Sequence, residues 1–255
     1  MTEYPRYPNP QIAEALCEIH YKLAPQMPWK ATAPGALFKK LQPDYPEFEP
    51  VTEQGIAIVV GPDGIPQQQL TPSRVRFSLK HRSEPFLIQI SDQILSINVL
   101  PPYPGWQAFK AELERRWPDF METVTPHVIS RIGLRYINRI ARRSADESPN
   151  SWLRSNDYIA ETALRSGPGF LGRTECRIDG QNRLLVTIAH DRHTTGGALH
   201  GALVLDIDRI VEREIAADWA AVEAEMWRLH DDVWKVFSSA KGDNLENLLR
   251  GEGHA

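Results

Sequence analysis

Ser130–Ile140 reads Ser-Arg-Ile-Gly-Leu-Arg-Tyr-Ile-Asn-Arg-Ile, and it has the two-residue period of a β-strand. Apolar side chains recur on one face, whereas the other face is cationic and contains Gly133. The stretch follows a helical pattern and precedes a polar segment, so we expect it to end the first half of the molecule. The apolar face consists of Ile132, Leu134, Tyr136 and Ile140, and the cationic face carries Arg131, Arg135 and Arg139.

The sequence before this strand predicts an antiparallel meander and then a long helix. Trp106–Val124 has apolar residues at steps of three and four, which predicts an amphipathic helix, and Pro118 within it is a residue that can kink a helix. A first strand is predicted around Leu16–Tyr21, after a proline-rich lead-in. The strands of the meander are predicted at Ile56–Val60, Arg74–Lys80, Phe86–Ser91 and Ile94–Leu100.

The sequence after this strand predicts further strands and a second long helix. The helix has an apolar stripe that runs from Ile215 to Phe237. Strands without regular strand–helix alternation indicate an α+β fold, a mostly antiparallel sheet or sheets with amphipathic helices packed on one face, in two loosely similar halves. The later strands are predicted at Tyr158–Leu164, Phe170–Ile178, Leu184–His190 and Leu203–Ile207.

A polar, aperiodic segment around residues 141–150 predicts a boundary between the two halves. We therefore predict an N-terminal α+β half over residues 1–145. A C-terminal half over residues 151–255 would contain an antiparallel sheet and the long helix. Whether the two halves share one sheet stays open at this point.

The composition is that of an ordinary soluble globular protein. Of the 255 residues, 42% are hydrophobic and 24% charged, and the formal net charge is −4. This charge gives no overall attraction to nucleic acid or to an anionic membrane, so neither is an expected partner. The sequence has no apolar run of membrane-spanning length and no signal peptide at its start, which predicts a cytoplasmic location.

Two segments together resemble a known protein family. They are the lead-in Tyr7-Pro-Asn-Pro-Gln-Ile-Ala-Glu-Ala15 with Cys17-Glu18, and the strand Arg131-Ile-Gly-Leu-Arg-Tyr-Ile-Asn138. They look like the signatures of a sporadically distributed, functionally uncharacterised bacterial family of about this length, although Gln11 replaces a second proline often found there. The resemblance implies a soluble bacterial protein outside the universal housekeeping set. Because that family has no established activity, the resemblance assigns no functional residue.

The three arginines of the central strand are one candidate binding site. Guanidinium groups offer fixed, paired donors, so Arg131, Arg135 and Arg139 suit a phosphate, a carboxylate ligand or an acidic partner. Alternatively, they form a solvated outer face and pair with Glu and Asp, as is common in antiparallel sheets.

Two tryptophans on the long helix are a second candidate. Trp227 and Trp234 are seven residues apart and lie off the main apolar stripe, with His230 between them. Such a face either packs under another segment of the chain or contacts a partner protein, since Trp is enriched in interfaces.

A metal site is the third candidate. His190 and His193 could bind a metal ion together with Asp206 and Asp208, which alternate onto one face of a strand. The spacing matches no known ligand pattern, and the sequence contains no motif of a common hydrolase or nucleotide-binding enzyme, so no cofactor is expected.

We therefore predict a non-enzymatic protein that binds another protein, a second copy of itself or a small anionic ligand. The alternative is a metal-dependent hydrolase or nuclease.

Overall fold

Strands are the most abundant regular element of the described chain. The computed structural model describes residues 4–53, 56–60, 66–70, 74–142, 147–167, 169–195 and 198–252. The strands are β1 Ile12–Lys22, β2 Glu47–Glu53, β3 Ile56–Val60, β4 Pro66–Leu70, β5 Arg74–Lys80, β6 Phe86–Ile90, β7 Ile94–Val99, β8 Val128–Ala141, β9 Leu171–Arg177, β10 Asn182–Thr195, β11 Ala198–Val211 and β12 Ile215–Ala216.

Within these ranges, ten of the strands form one antiparallel sheet. Their order is β2-β5-β6-β7-β1-β8-β11-β10-β9, and β12 pairs with one end of β8. Strands β3 and β4 form a separate hairpin. The stretch Ser130–Ile140 lies in β8, which is hydrogen-bonded to β1 on one side and to β11 on the other. The strand with the alternating arginines is therefore in the interior of the sheet.

Two long helices cover one face of this sheet. Both are amphipathic, and their apolar residues are buried against strands β1, β8 and β11. In β8 the apolar face predicted from the sequence is buried, with Ile132, Leu134 and Ile140 fully inaccessible. The helices are α1 Ala33–Leu41, α2 Trp106–Val124, α3 Glu161–Leu164, α4 Trp219–Ala240 and α5 Asp243–Arg250, with a 3-10 turn at Pro149–Ser151.

The predicted α+β fold with a mostly antiparallel sheet is confirmed. The helix at Trp106–Val124 lies where the sequence predicts it, and α2 continues through Pro118. The predicted strands of the meander are present as β5, β6 and β7, which pair in that order. Ile56–Val60 is also a strand, but it pairs with β4 in the separate hairpin and is not part of the meander. No helix in the described ranges is both long enough and apolar enough to cross a bilayer.

Two other local predictions are wrong. The predicted strand Tyr158–Leu164 is a turn followed by α3, because the side chain of Asn156 accepts hydrogen bonds from the backbone N–H groups of Tyr158 and Ile159, at 2.9 Å each. The long helix begins at Trp219 rather than at Ile215. The carboxylate of Asp218 caps it there by accepting from the N–H of Ala221 at 2.9 Å.

The sheet continues across the predicted boundary between the two halves. Strand β8 belongs to the predicted N-terminal half, and it pairs with β11 of the C-terminal half from Ile132 to Ala141. Residues 143–146, where the boundary falls, lie outside the described residues. The division into 1–145 and 151–255 therefore stays a prediction about folding units, whereas the sheet itself is shared.

Candidate functional site

The sheet face opposite α2 and α4 carries most of the charged residues of the three central strands. In the register of these strands, Glu18 lies opposite Gly133, and Arg135 lies opposite Asp208. Residues paired across antiparallel strands point to the same side of a sheet, so these side chains come together. We call this surface the charged face, and its members are Glu18, His20, Arg131, Arg135, Asp206 and Asp208.

Arg135 forms a bidentate ion pair with Asp206 on the charged face. Its Nε donates to Oδ1 at 2.8 Å and its Nη2 donates to Oδ2 at 2.7 Å. The carboxylate of Asp206 is only 12% exposed. This ion pair occupies the two guanidinium N–H groups that would otherwise donate to a phosphate or carboxylate ligand. The positive charge of Arg135 is therefore neutralised within the chain.

Arg131 is also paired with groups of β1. Its Nη1 lies 3.0 Å from Nε2 of His20 and 3.5 Å from a carboxylate oxygen of Glu18. Arg76 adds a hydrogen bond to the same carboxylate at 3.0 Å. Burial raises the pKa of Glu18, but the hydrogen bond from His20 and the charges of Arg76 and Arg131 outweigh this effect and lower the pKa to about 2.

Asp208 differs from Glu18 and Asp206 in its hydrogen bonding. Its carboxylate accepts no hydrogen bond from any residue that the structure describes. Burial raises its pKa to about 6, the charges of Arg135 and Arg131 oppose this, and the negative charges of Asp206 and Glu18 add to it. Its Oδ1 lies 3.8 Å from the position that a Cβ on Gly133 would take. The space above this glycine is thus next to a carboxylate that is partly protonated at mildly acidic pH.

Arg139, the third predicted arginine, is exposed near the end of β8. Its backbone N–H donates to the carbonyl oxygen of Gln11 at 2.8 Å. The charged face therefore holds Arg131 and Arg135 in ion pairs and Arg139 further along the strand. It is better described as a partly buried network of ion pairs than as a free cationic surface.

The residues considered as an alternative metal site do not come together. His190 lies opposite Leu203 and therefore on the same side of the sheet as the helices, whereas Asp206 and Asp208 lie on the charged face. One ion cannot bind groups on both sides of a sheet. The side chain of His193 lies outside the described residues. Among the residues that are described, no group of three or more His, Cys, Asp or Glu side chains could hold a metal ion.

The two predicted tryptophans are covered by the N-terminal segment of the chain. The ring of Tyr4 lies 6.4 Å from that of Trp227 and 5.6 Å from that of Trp234, centroid to centroid. The ring of Tyr7 lies 6.4 Å from Trp234. The tryptophan face of α4 thus packs against residues 4–7, which is the first of the two alternatives considered for it.

Polar contacts attach this N-terminal segment to α4 and α5. The hydroxyl of Tyr7 donates to Glu246 at 2.9 Å and accepts from Nζ of Lys241 at 2.5 Å. Asn9 donates from its backbone to the carbonyl oxygen of Leu249 at 3.2 Å. These contacts hold the segment across the tryptophan face.

A cavity of about 410 Å³ lies beneath the N-terminal segment. Its other walls are the start of α2, the inner face of α4, part of α5 and the helix-covered face of β8 and β11. Much of the wall is aromatic, and the hydroxyls of Tyr103 and Tyr136 form a hydrogen bond of 2.9 Å there. The aromatic side chains of the wall include Tyr4, Tyr7, Tyr103, Trp106, Tyr136 and Trp234.

Two residues that line the cavity each have a buried ring nitrogen without a hydrogen-bond partner among the described protein atoms. These nitrogens are Nε1 of Trp106 and Nδ1 of His230. The two rings stack at 4.1 Å between centroids with 13° between their planes, and they are 7% and 6% exposed. Burial lowers the pKa of His230 to about 3, against a small opposing effect from Asp231, so its imidazole is neutral at physiological pH.

The sequence identified Trp234 and His230 but not the cavity that they line. Trp106 and Tyr136 looked like members of the apolar faces of a helix and a strand, and nothing local distinguishes a residue beside a cavity from one in a filled core. The tyrosines of the lead-in were a usable signal. Tyr4 and Tyr7 are large aromatic residues in a proline-rich segment without periodicity, and such residues need a surface to pack against.

Comparison with known proteins adds no further information on this site. No model of a protein family matches the chain. No curated protein matches it either. The resemblance of its two signature segments to an uncharacterised bacterial family stays a prediction.

Proposed function

We propose that this is a non-enzymatic binding protein, and that its ligand is a small molecule held in the cavity beneath the N-terminal segment. One observation carries the proposal: a cavity of about 410 Å³, lined mainly by aromatic and apolar side chains, lies between the N-terminal segment, the helices and the sheet. A ligand that enters this space would bury apolar surface and contact the aromatic rings of the wall.

The character of the cavity supports this function. Small-molecule sites are concave, mostly apolar, and contain a few polar groups that orient the ligand; their volumes are about 300–1,000 Å³. This cavity has an aromatic wall with a few polar groups, and its volume falls in that range. The attachment of the N-terminal segment through Tyr7 and Asn9 keeps one wall in place.

The chemistry of the wall favours binding over catalysis. His230 is the one imidazole among the described lining residues, and with a pKa of about 3 it is a poor general base at neutral pH. The ion pairs of Arg131 and Arg135 make the charged face the weaker candidate for an anionic ligand. The cytoplasmic location and any binding of another protein or of a second copy stay predictions.

Filling the cavity should remove the ligand without unfolding the protein. Val233 and Val236 are both 4% exposed on α4, but Val233 lines the cavity and Val236 is not among its described lining residues. Val233→Phe should therefore change the free energy of unfolding by less than about 1 kcal/mol, since the added ring enters open space. Val236→Phe enters a packed region and should cost about 1–3 kcal/mol. Urea denaturation of the two variants measures the difference.

The same variants test the function when they are expressed in the natural host of the protein and analysed by native mass spectrometry. The wild type and Val236→Phe should carry the same small-molecule adduct, and Val233→Phe should carry none. An equal adduct on Val233→Phe would place the ligand elsewhere. A wild type without any adduct would contradict the proposal.

A further inference from the structure

We propose that two copies of this protein associate through the outer edge of β9, and that the two sheets join into one antiparallel sheet across a two-fold axis at Thr174. This association is independent of the cavity and of its ligand. Three properties of β9 support it: the direction of its backbone groups, the order of its charges, and the exposed apolar residues at its two ends.

The first property is the row of backbone groups that β9 directs away from β10. β9 is the last strand of the main sheet, and no strand in the described part of the chain lies on its other side. The N–H of Ile178 donates to the carbonyl oxygen of Asn182, and the N–H of His190 donates to that of Phe170, at 2.9 Å each. Because hydrogen bonding alternates along an antiparallel strand, the even-numbered residues of β9 bond to β10. The odd-numbered residues therefore point their N–H and C=O groups outwards, where another strand can pair with them.

The second property is the order of the charges on these outward residues. Outward groups of two copies can face each other only if the two-fold axis passes through a residue. With the axis at Thr174, all seven residues of β9 pair, and Arg173 lies opposite Glu175 of the second copy. By symmetry this pair of opposite charges forms twice. An axis at Arg173 or at Glu175 would instead place two like charges directly opposite each other, which is destabilising.

The side chains of Arg173 and Glu175 are accessible to a second copy, with 55% and 42% of their surface exposed. Within the chain, Nη2 of Arg173 lies 3.9 Å from a carboxylate oxygen of Glu175, which is longer than a hydrogen bond. Oε1 of Glu175 lies 3.3 Å from Nη1 of Arg183, but a carboxylate can accept several hydrogen bonds. The guanidinium of Arg173 therefore has donors for a carboxylate of the second copy.

The third property is the exposed apolar residue at each end of β9. Leu171 and Ile178 are 70% and 53% exposed, the two highest values among the large hydrophobic residues that the structure describes. With the axis at Thr174, Ile178 lies opposite Phe170 of the second copy. Leu171 lies opposite Arg177 of the second copy, whose aliphatic stem can cover it. Association would thus remove apolar surface from water at both ends of the strand.

The other edge of the sheet lacks these properties. Strand β2 contains Pro50, which has no N–H to donate, and its charged residues are all acidic. Both features oppose the pairing of edge strands between chains. We therefore expect the second copy at β9 and not at β2. The acidic residues of β2 are Glu47, Glu49 and Glu53.

Charge exchange on β9 tests this pairing. Sedimentation equilibrium should show the 28.9 kDa chain in reversible equilibrium with its dimer, with a Kd in the micromolar range because one pair of strands is a small interface. Arg173→Glu should raise the Kd at least about tenfold, since it places glutamates opposite each other at two positions. Arg173→Glu/Glu175→Arg restores opposite charges and should return the Kd to within about threefold of the wild type. Glu49→Arg, on β2, is the matched control and should leave the Kd unchanged.

Three outcomes would overturn the proposal. The first is a wild type that stays monomeric at about 200 μM, and a different protein would then be the candidate partner for this edge. The second is a dimer that Arg173→Glu does not weaken. The third is a dimer that the charge-exchanged double variant does not restore.

A cysteine at position 174 tests the register. With the axis at Thr174, the two copies of this residue face each other as a non-hydrogen-bonded pair with Cα atoms about 4.5 Å apart, which a disulfide can bridge. Thr174→Cys should therefore form an intermolecular disulfide under mild oxidation. The natural Cys176 is partly accessible and lies opposite Gly172 of the second copy, so the wild type should stay unlinked. A wild type that cross-links would place the axis at Cys176 and contradict this register, as would a Thr174→Cys dimer that does not cross-link.

Discussion

Replacing Asp232 with alanine should destabilise the folded protein by about 3–5 kcal/mol. The reason is its partner Arg209, which lies on the helix-covered face of β11 and is 1% exposed. The Nε of Arg209 donates to a carboxylate oxygen of Asp232 at 2.9 Å, and its other nitrogens donate to neutral oxygens. Without Asp232, a buried guanidinium would keep its charge and lose its counter-ion.

Urea denaturation at pH 7 measures the decrease in the free energy of unfolding. Two further variants test whether that decrease comes from the buried charge of Arg209. Glu122→Ala removes a carboxylate that is 74% exposed and pairs with Lys40, so it should cost less than about 1 kcal/mol. The double variant Arg209→Met/Asp232→Ala should recover most of the loss, because a buried ion pair can be replaced by apolar groups at little cost. A cost below 1 kcal/mol for Asp232→Ala alone would show that Arg209 needs no counter-ion.

Replacing Asp208 with asparagine should have the opposite effect and stabilise the protein at neutral pH. The pKa of Asp208 is raised from an ordinary 3.8 to about 6 in the folded state, chiefly by burial. The folded state thus holds its proton more tightly than the unfolded state, and stability falls as the pH rises through this window. Above pH 6 the full penalty applies, up to about 3 kcal/mol, whereas below pH 4 it vanishes. Asparagine has no charge to bury.

Denaturation of Asp208→Asn at pH 7.5 and at pH 4 checks both the size and the sign of the effect. Asp206→Asn is the matched control, because the same change on the same strand breaks the bidentate pair with Arg135. It should destabilise the protein at pH 7.5 by about 1.5–3 kcal/mol. If both substitutions change stability in the same direction, the proposed difference between the two carboxylates is incorrect.

The sequence was sufficient to predict the fold where local pattern and final packing agree. The alternation in β8 assigned its buried and charged faces correctly, because a strand in the middle of a sheet between helices and a polar surface keeps that alternation along its length. The predictions failed where a side chain overrides the pattern. Asn156 turns the chain before α3, and Asp218 caps α4 so that the helix begins four residues after the start of its apolar stripe at Ile215.

The site was less predictable because it depends on contacts between distant segments. The sequence identified Arg135 as a candidate binding residue but did not identify Asp206 as its partner. That pairing depends on the register between β8 and β11, which neither strand encodes alone. The cavity has walls from the N-terminal segment, α2, α4 and the sheet. A pattern within one segment describes its apolar face and gives no information on whether the opposing segments fill the space in front of it.

The interior position of β8 has a consequence for the synthesis of the chain. The ribosome releases β8 after its partner β1 but before β11, so one edge of β8 stays unpaired while residues 142–197 are made. An open edge strand is a template for pairing with other chains, and like charges along it oppose such pairing. Arg131, Arg135 and Arg139 place three positive charges on this strand before Asp206 is synthesised. The residues that form ion pairs in the finished sheet thus also discourage aggregation of the nascent chain.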